Sequence, residues 1–250
     1  MFHYDVVTQQ SDPQMRIVWA HGWGHDANAM RELALPFAPH AENVLLDFPG
    51  FGKSPPPDTS WSTGDYADAT REFLDTLKPM ATTYWVGHSF GCRVGMQMAA
   101  RHPGILSGMA LIAAAGLQRR RGPVEQIKYL RRLWSYKIGA RLLRFLGRDP
   151  KDLAMKYGSP DYRNAGSMRG VFVNVVREDL TEVARRITIP VKLIYGREDA
   201  ETPVEMGLRL NQLIPRSELL VLDHQDHYSV LGEGRYPVIK AIQKLTGVDT

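Results

Sequence analysis

The chain has 250 residues, of which 44% are hydrophobic, and this is enough for one sizeable core. A single cysteine, Cys92, excludes an internal disulfide, and no apolar run approaches the roughly 20 residues of a membrane span. The net charge of +4 is small and no recognition motif accompanies the basic residues, so we expect no nucleic-acid partner. The first 14 residues lack the pattern of a signal peptide, and we expect a cytoplasmic protein.

Short apolar runs alternate with amphipathic runs, a pattern typical of a mostly parallel sheet covered by helices. Strands are predicted at Phe2–Thr8, Arg16–Ala20, Asn43–Phe48, Tyr84–Val86, Met109–Ala113, Val191–Tyr195 and Glu218–Leu222. Helices are predicted at Tyr66–Leu77, Phe90–Arg101, Pro203–Leu213 and Tyr236–Leu245.

One segment interrupts this alternation. No clear strand pattern occurs from Leu117 to about Thr188, and the pattern returns only at Val191. We interpret residues 117–188 as a mostly helical lid, inserted into a core formed by residues 1–116 and 189–250. An insertion after a parallel strand overhangs the edge of the sheet where ligands bind. The sequence therefore predicts an α/β fold with a helical lid.

A serine follows the third buried strand in the motif Gly-His-Ser-Phe-Gly (87–91), just before a predicted helix. Glycines on both sides of Ser89 let strand and helix approach closely around a tight turn. This is the Gly-x-Ser-x-Gly pattern of a nucleophile elbow, which exposes the serine hydroxyl at the end of a strand. The five residues alone also fit an ordinary helix start, so the catalytic interpretation depends on partners elsewhere in the chain.

A serine becomes a good nucleophile when a histidine takes its proton, and an acid orients that histidine. In the elbow architecture these residues follow in the order Ser, acid, His. The loop after the strand at 191–195 contains Glu198 and Asp199, and the loop after the last strand contains His224 and His227. Asp199 is preferred over Glu198 because a helix start follows it closely. Both loops follow the carboxyl ends of strands, so they can converge on the serine.

The oxyanion that forms during acyl transfer needs hydrogen-bond donors. One predicted donor is the backbone N–H of Phe90, directly after the serine. The other is the N–H of Trp23, in the His-Gly-Trp-Gly turn (21–24) that follows the strand Arg16–Ala20. Considered alone, this second motif indicates only a glycine turn.

Five motifs resemble the α/β-hydrolase superfamily along nearly the whole chain: HGWG (21–24), DFPGFGKS (47–54), GHSFG (87–91), GREDAETP (196–203) and DHY (226–228). The resemblance implies the α/β-hydrolase fold and a serine hydrolase with Ser89 as nucleophile, Asp199 as acid and His227 as base. Two positions depart from the family pattern. Cys92 stands where a smaller residue is common, and Asp226 precedes the histidine where a glycine is common. The second departure leaves the rate and pH dependence open.

Charge is unevenly distributed along the chain. Residues 117–156 include 12 basic and 3 acidic residues, a net charge of +9, whereas the rest has 19 basic and 24 acidic residues, a net charge of −5. An apolar stripe is predicted beneath these charges, at Ile127, Leu130, Trp134 and Ile138. The basic segment is either a solvated helix face or a surface that attracts an acidic partner.

The HGWG motif and the basic lid resemble the pimeloyl-carrier-protein methyl ester esterases. This implies an acidic acyl carrier protein or a coenzyme A ester as partner. His88 stands where a tryptophan is expected in that subgroup.

The predicted reaction is cleavage of a carboxylic ester or thioester through an acyl-enzyme, with a small-molecule ester as substrate. A carbon–carbon bond hydrolase or a haloperoxidase-like enzyme would use the same triad, and a non-catalytic ligand receptor is an alternative of another class. We expect no metal and no cofactor, because neither histidine pair, at 21 and 25 or at 224 and 227, has a third ligand at diagnostic spacing. Side chains expected to contact the substrate are His21, His88, Arg131, Arg132, Trp134 and Tyr228.

Overall fold

The structure is a computed structural model that describes residues 2–120, 122–147, 153 and 159–248. The side chains of residues 123–125, 129 and 132 lie outside this description. Of the basic residues counted in the insertion, those outside the described residues are Arg121, Arg148, Lys151, Lys156 and the side chain of Arg132.

A seven-stranded sheet forms the centre of the molecule, in the order β1-β3-β2-β4-β5-β6-β7. Its strands are β1 His3–Val7, β2 Met15–Ala20, β3 Glu42–Asp47, β4 Thr82–His88, β5 Gly108–Ile112, β6 Val191–Gly196 and β7 Ser217–Leu222. All neighbours pair in parallel except β1, which pairs antiparallel with β3. The predicted mostly parallel sheet is confirmed, and the strand ends shift by one or two residues.

The inner strands are buried on both faces, which explains why they read as continuous apolar runs. Successive side chains of a strand point to opposite faces. In β2, Val18 belongs to one apolar cluster, whereas Ile17 and Trp19 belong to the cluster on the other face. The sheet is thus the middle layer of a three-layer sandwich.

Helices cover both faces of the sheet. They are α1 Arg31–Ala34, α2 Thr63–Asp75, α3 Phe90–Arg101, α4 Pro123–Phe145, α5 Pro160–Asn164, α6 Arg169–Arg177, α7 Thr181–Arg185, α8 Val204–Leu213 and α9 Arg235–Thr246. Buried residues of α2, α3 and α8 pack on one face, and those of α1 and α9 pack on the other. A capping box between Ser62 and Asp65 fixes the start of α2.

The insertion contains only helices and turns in its described residues, and its second half is fixed to the core. The backbone N–H of Thr63 donates to the Glu178 carboxylate at 2.9 Å. The Asn174 side-chain amide donates to the Ser60 carbonyl at 2.7 Å. Met168 packs on Gly50, whose φ of +91° and lack of a Cβ make room for it. Residues 159–180 therefore form a cap with a defined position on the core.

Helix α4 differs from this cap, because one side of it is in solvent. Ala140 is buried and Gly139 lies against Leu153, whereas Trp134 and Phe145 are exposed. Among the described residues, no helix is both long enough and apolar enough to cross a membrane.

Candidate active site

Ser89 occupies a strained turn between β4 and α3. Its φ of 48° and ψ of −101° are rare for a residue with a side chain. The turn is possible because the flanking glycines are in close contact with neighbouring backbone. A Cβ on Gly87 would collide with the Gly91 backbone, and one on Gly91 would collide with the carbonyl oxygen of Ala20. Ser89 is half-buried at the carboxyl end of the sheet.

Asp199 and His227 come together from the loops after β6 and β7. The Asp199 Oδ2 atom lies 2.8 Å from Nδ1 of His227. Its other oxygen, Oδ1, accepts the backbone N–H groups of Glu201 and Thr202, both at 2.8 Å. The Thr202 hydroxyl donates to Oδ2 at 2.7 Å. These bonds fix the carboxylate, and with it the orientation of the imidazole ring.

Electrostatics favour an ionised Asp199 beside His227. Burial alone would raise the pKa of Asp199, but hydrogen bonds from His227 and Thr202 outweigh it and hold the pKa below its ordinary value. Burial alone would lower the pKa of His227, but the hydrogen bond and charge of Asp199, helped by Glu201, raise it above 6.5. His227 therefore has the stabilised cation that a proton acceptor needs.

His21 is buried in the core and is not part of a substrate surface, contrary to the sequence expectation. Its Nδ1–H donates to the Gly22 carbonyl at 2.7 Å, and its Nε2 accepts the backbone N–H of Phe48 at 3.1 Å. Burial lowers its pKa to about 4, which keeps the ring neutral. Both ring nitrogens are occupied, so His21 fixes the turn that carries Trp23.

The two residues predicted to supply the oxyanion donors are in contact. The rings of Trp23 and Phe90 contact edge to face at 5.6 Å between centroids. Phe90 is the first residue of α3, and the first N–H groups of a helix have no partner within it. Among the described residues, no acceptor takes the backbone N–H of Trp23 or Phe90. Both donors are therefore available.

His88 brings an unpaired acceptor to the site. Its Nε2–H donates to the His227 carbonyl at 2.9 Å, which leaves Nδ1 with a lone pair. Nδ1 is buried against Gly22 and has no hydrogen-bond partner in the described structure. Burial, with the adjacent charge of His227, lowers the pKa of His88 to about 3. The ring is therefore neutral.

Two adjoining cavities lead to Ser89. The inner one, about 20 Å³, is lined by Gly22, Trp23, His25, His88, Ser89, Asp161, Glu201, His227 and Tyr228. The outer one, about 360 Å³, is lined by Trp23, Gly24, His25, Gly50, Phe51, Asp161, Asn164, Ala165, Met168 and Tyr228. Asp161, Asn164, Ala165 and Met168 belong to the cap, which forms one wall. The outer volume is that of a small-molecule site.

The remaining predicted contact residues divide into two groups. Tyr228 lines both cavities, and its contact with substrate stays a prediction. Arg131 and Trp134 lie on exposed parts of α4 and line neither cavity, because the apolar stripe of this helix faces solvent and not the site. The side chain of Arg132 lies outside the described residues.

Sequence reasoning missed three polar residues around the site. Asp161 and Glu201 line the inner cavity, and Thr202 bonds to Asp199. The signal for Thr202 was its place just before the helix start at Pro203. Asp161 has no such signal, because its position depends on how the cap folds back.

Asp226, the departure from the family pattern, has a local structural role. Its carboxylate accepts the backbone N–H groups of Tyr228 at 2.9 Å and Ser229 at 2.8 Å. These bonds, with the Ser229 bond first, lower its pKa. Asp226 is exposed and caps the turn that follows His227, so it holds the backbone of that loop.

Residues 16–154 match the model of a family described by the alpha/beta hydrolase fold. The chain belongs to the α/β hydrolase family. This hydrolase is 25% identical over 243 residues to the pimeloyl-[acyl-carrier protein] methyl ester esterase of Vibrio cholerae, covering 90% of the chain and 92% of that protein. It is also 26% identical over 200 residues to a 2-hydroxy-6-oxononadienedioate/2-hydroxy-6-oxononatrienedioate hydrolase of a Pseudomonas species, covering 74% and 70%.

A solved structure has the same fold as the hydrolase. It is the enol-lactonase of Burkholderia xenovorans, with a TM-score of 0.75 and 22% identity over 98% of this chain and 96% of that one. The family match over residues 16–154 confirms the superfamily predicted from the sequence motifs, and the likeness to this structure confirms the fold.

Proposed function

We propose that this hydrolase cleaves a carboxylic ester through an acyl-enzyme on Ser89. The observation that carries the proposal is the meeting of three loops. Ser89, in its strained turn, and His227 line one small cavity, and the buried Asp199 holds His227 from behind at 2.8 Å. Within the described residues, the neighbouring backbone N–H groups of Trp23 and Phe90 have no acceptor. Relatedness over almost the full length to an esterase supports the same reaction class.

The mechanism assigns one role to each group. Ser89 Oγ attacks the ester carbonyl while Nε2 of His227 takes its proton, and Asp199 stabilises the resulting imidazolium. The N–H groups of Trp23 and Phe90 hold the oxyanion. His227 then gives its proton to the departing alcohol, which leaves an acyl-enzyme. Water attacks this acyl group, with His227 again taking the proton, and Ser89 is regenerated with release of the acid.

The cavity charge favours a neutral ester. Asp161 and Glu201 place two carboxylates on the inner cavity, and none of the described residues that line either cavity is a lysine or arginine. A substrate carboxylate close to the scissile bond would be repelled by these two carboxylates. This disfavours short dicarboxylates and supports an ester hydrolase over a carbon–carbon bond hydrolase of dienedioates.

His88 is proposed to accept a hydrogen bond inside the inner cavity. A buried acceptor without a partner is costly, and the cavity of about 20 Å³ is large enough for one water molecule or a substrate hydroxyl. The sequence predicted that His88 contacts the substrate, and this proposal names the contact as a hydrogen bond accepted by Nδ1.

An acidic acyl carrier is the second candidate for the group that bears the acyl chain. The name of the Vibrio cholerae relative, pimeloyl-[acyl-carrier protein] methyl ester esterase, favours this candidate. Docking of a carrier would use the basic helix α4. The exposed side chains of α4 are apolar as well as basic.

The proposal is tested with a fluorophosphonate probe. We expect mass spectrometry to find the adduct on Ser89, and Ser89→Ala to lose about 10⁴- to 10⁶-fold in kcat on a neutral ester. An adduct at another residue, or full activity of Ser89→Ala, would refute the mechanism.

Substrate charge is tested separately with dimethyl succinate and monomethyl succinate. We expect a higher kcat/KM for the neutral diester than for the charged monoester. The double variant Asp161→Asn with Glu201→Gln should have a lower KM for the monoester, so the difference in kcat/KM between the two esters should become smaller. Glu182→Gln, an exposed residue of α7 that lines neither cavity, is the matched control. An unchanged preference in the double variant would remove the role of the two carboxylates.

A further inference from the structure

Helix α4 exposes a continuous row of large apolar side chains. Its members are Ile127, Leu130, Trp134, Ile138, Leu142 and Phe145, with exposed fractions between 39% and 86%. Their spacing of three or four residues places them on one face of the helix. The row spans about 27 Å at 1.5 Å per residue. An uncovered apolar surface of this extent indicates an interaction site.

The row does not serve to pack α4 on its own protein. The opposite face does so, through buried Ala140 and half-buried Leu133 and Leu143. Gly139 lies on the same side, against Leu153. The helix thus has two apolar faces, and residues 2–120, 122–147, 153 and 159–248 cover only one of them. A helix that needed only to dock on the core would carry polar residues on the outer face.

Basic side chains flank the exposed row on both sides. Helical spacing places Lys128 and Arg131 along one side, and Lys137, Arg141 and Arg144 along the other. All five are exposed. Across its 23 residues α4 has six basic residues and one acidic residue, Glu125.

We propose that this face of α4 docks the protein on an anionic lipid surface. A helix with an apolar face edged by lysine and arginine lies in the membrane interface, with its apolar side chains among the acyl chains. The basic residues then meet the lipid phosphates, and long side chains reach them from the helix edges. Trp134 sits at the middle of the row, with Lys137 over its ring at 5.8 Å.

Charge and shape favour this occupant over two others. A second copy of α4 would bring two sets of flanking cations together, which repel each other. An acidic carrier protein would pair with the basic side chains of α4. Charge attraction alone does not explain why an apolar row about 27 Å long is exposed between them. A planar anionic surface with an apolar interior satisfies both the row and its edges.

The binding test uses the full chain and sedimentation with lipid vesicles. Vesicles of phosphatidylcholine alone are compared with vesicles of phosphatidylcholine and phosphatidylglycerol mixed two to one. We expect binding to the anionic vesicles, weakened as salt shortens the Debye length to about 3 Å at 1 M. Binding to neither vesicle would overturn the proposal.

Paired variants distinguish binding through this face of α4 from nonspecific adsorption to lipid. Ile138→Ser with Leu142→Ser should weaken binding at least about tenfold. Val176→Ser with Leu208→Ser, of similar exposure on other helices, should leave it unchanged. Lys137→Gln with Arg141→Gln should weaken it about 25-fold, since each cation contributes about fivefold. Arg186→Gln with Arg216→Gln is the charge-matched control. Equal losses in test and control variants would contradict the assignment to α4.

Further measurements identify the competing occupants. Brominated lipids should quench the fluorescence of the wild-type chain, and most of that quenching should disappear in Trp134→Phe. If the Ile138 and Leu142 substitutions dissociate a dimer in sedimentation velocity, the face is a self-association surface. If they abolish binding of an acidic acyl carrier protein and spare vesicle binding, the carrier is the occupant. Either result overturns the proposal. Because no arm depends on ester cleavage, failure here is distinguishable from failure of the proposed reaction.

Discussion

Among the acid–histidine pairs that join the loop after β6 to the loop after β7, one lies inside the molecule and one lies at its surface. Asp199 and His227 approach to 2.8 Å with side chains that are 0% and 6% exposed. One residue earlier and three residues earlier in the same loops, Glu198 and His224 approach to 3.6 Å with side chains that are 63% and 90% exposed. The residue types match, but the surroundings do not.

Burial accounts for the difference between the pairs. Asp199 has a fixed set of donors, and its pKa is lowered in spite of burial because those donors prefer the charged form. Water and salt screen an exposed pair, which contributes little. The inner pair can therefore hold an imidazole in one orientation while a proton moves, and the outer pair cannot. The predictions below test this contrast.

The largest effect is expected from removing the inner histidine. His227→Ala should lower kcat about 10⁶-fold, because the serine loses the imidazole that takes its proton. His224→Ala should leave kcat nearly unchanged, since its side chain faces solvent. Steady-state kinetics on a neutral ester measure both. A larger loss of kcat in His224→Ala than in His227→Ala would identify His224, of the outer pair, as the base.

A smaller loss is expected from the inner acid. Asp199→Asn keeps the shape of the side chain and removes its charge, so the imidazolium loses its stabiliser and kcat should fall about 10⁴-fold. Glu198→Gln makes the same change in the outer pair and should have little effect. If Asp199→Asn and Glu198→Gln lowered kcat by similar factors, burial would not account for the difference between the inner and outer pairs.

The sequence predicted the sheet and the elbow well, because their signals are local. Apolar runs such as "RIVWA" and "VKLIY" mark strands buried on both faces, and the glycines around Ser89 mark a turn that side chains would block. The choice of Asp199 and His227 rested partly on the family resemblance. Spacing alone left Glu198 and His224 open, because both loops end on the same edge of the sheet.

The insertion was predicted less well, for a physical reason. The stripe from Ile127 to Ile138 has helical spacing, but periodicity does not tell which face of the helix meets the protein. We expected the stripe beneath the charges, whereas it is exposed. Likewise His21 was expected to meet substrate, and its two buried hydrogen bonds depend on partners brought in by the fold. Contacts that depend on tertiary structure leave no local pattern.

A moderate effect is expected from the hydroxyl that supports the inner acid. Thr202→Val removes the 2.7 Å bond to Asp199 and keeps the side-chain shape, so kcat should fall about tenfold with little change in KM. Thr246→Val is the matched control, since Thr246 is also buried and its hydroxyl bonds to the Ile242 carbonyl away from the site. If the control loses as much activity, the effect is one of stability and the support by Thr202 is not catalytic.

The smallest effect is expected on the pH profile. Glu201 Oε2 lies 3.6 Å from Nε2 of His227, the atom that takes the serine proton, and its side chain is 53% exposed. Its charge is one of the causes that hold the pKa of His227 above 6.5. A base works only when neutral, so kcat/KM should fall as the pH drops through that raised pKa.

Glu201→Gln removes this charge, which lowers the pKa of His227 and moves the acid limb of the kcat/KM profile to lower pH. Activity at pH 6, relative to the plateau, should therefore rise. The acid limb should move less in Glu201→Gln than in the residual activity of Asp199→Asn. The Glu201 side chain is half exposed, so water screens its charge, whereas the Asp199 side chain is buried. Glu198→Gln removes the same charge next to His224 and should leave the limb in place. If Glu198→Gln moved the limb as far as Glu201→Gln, net charge would set the pKa of His227, and the local contact would have no part in it.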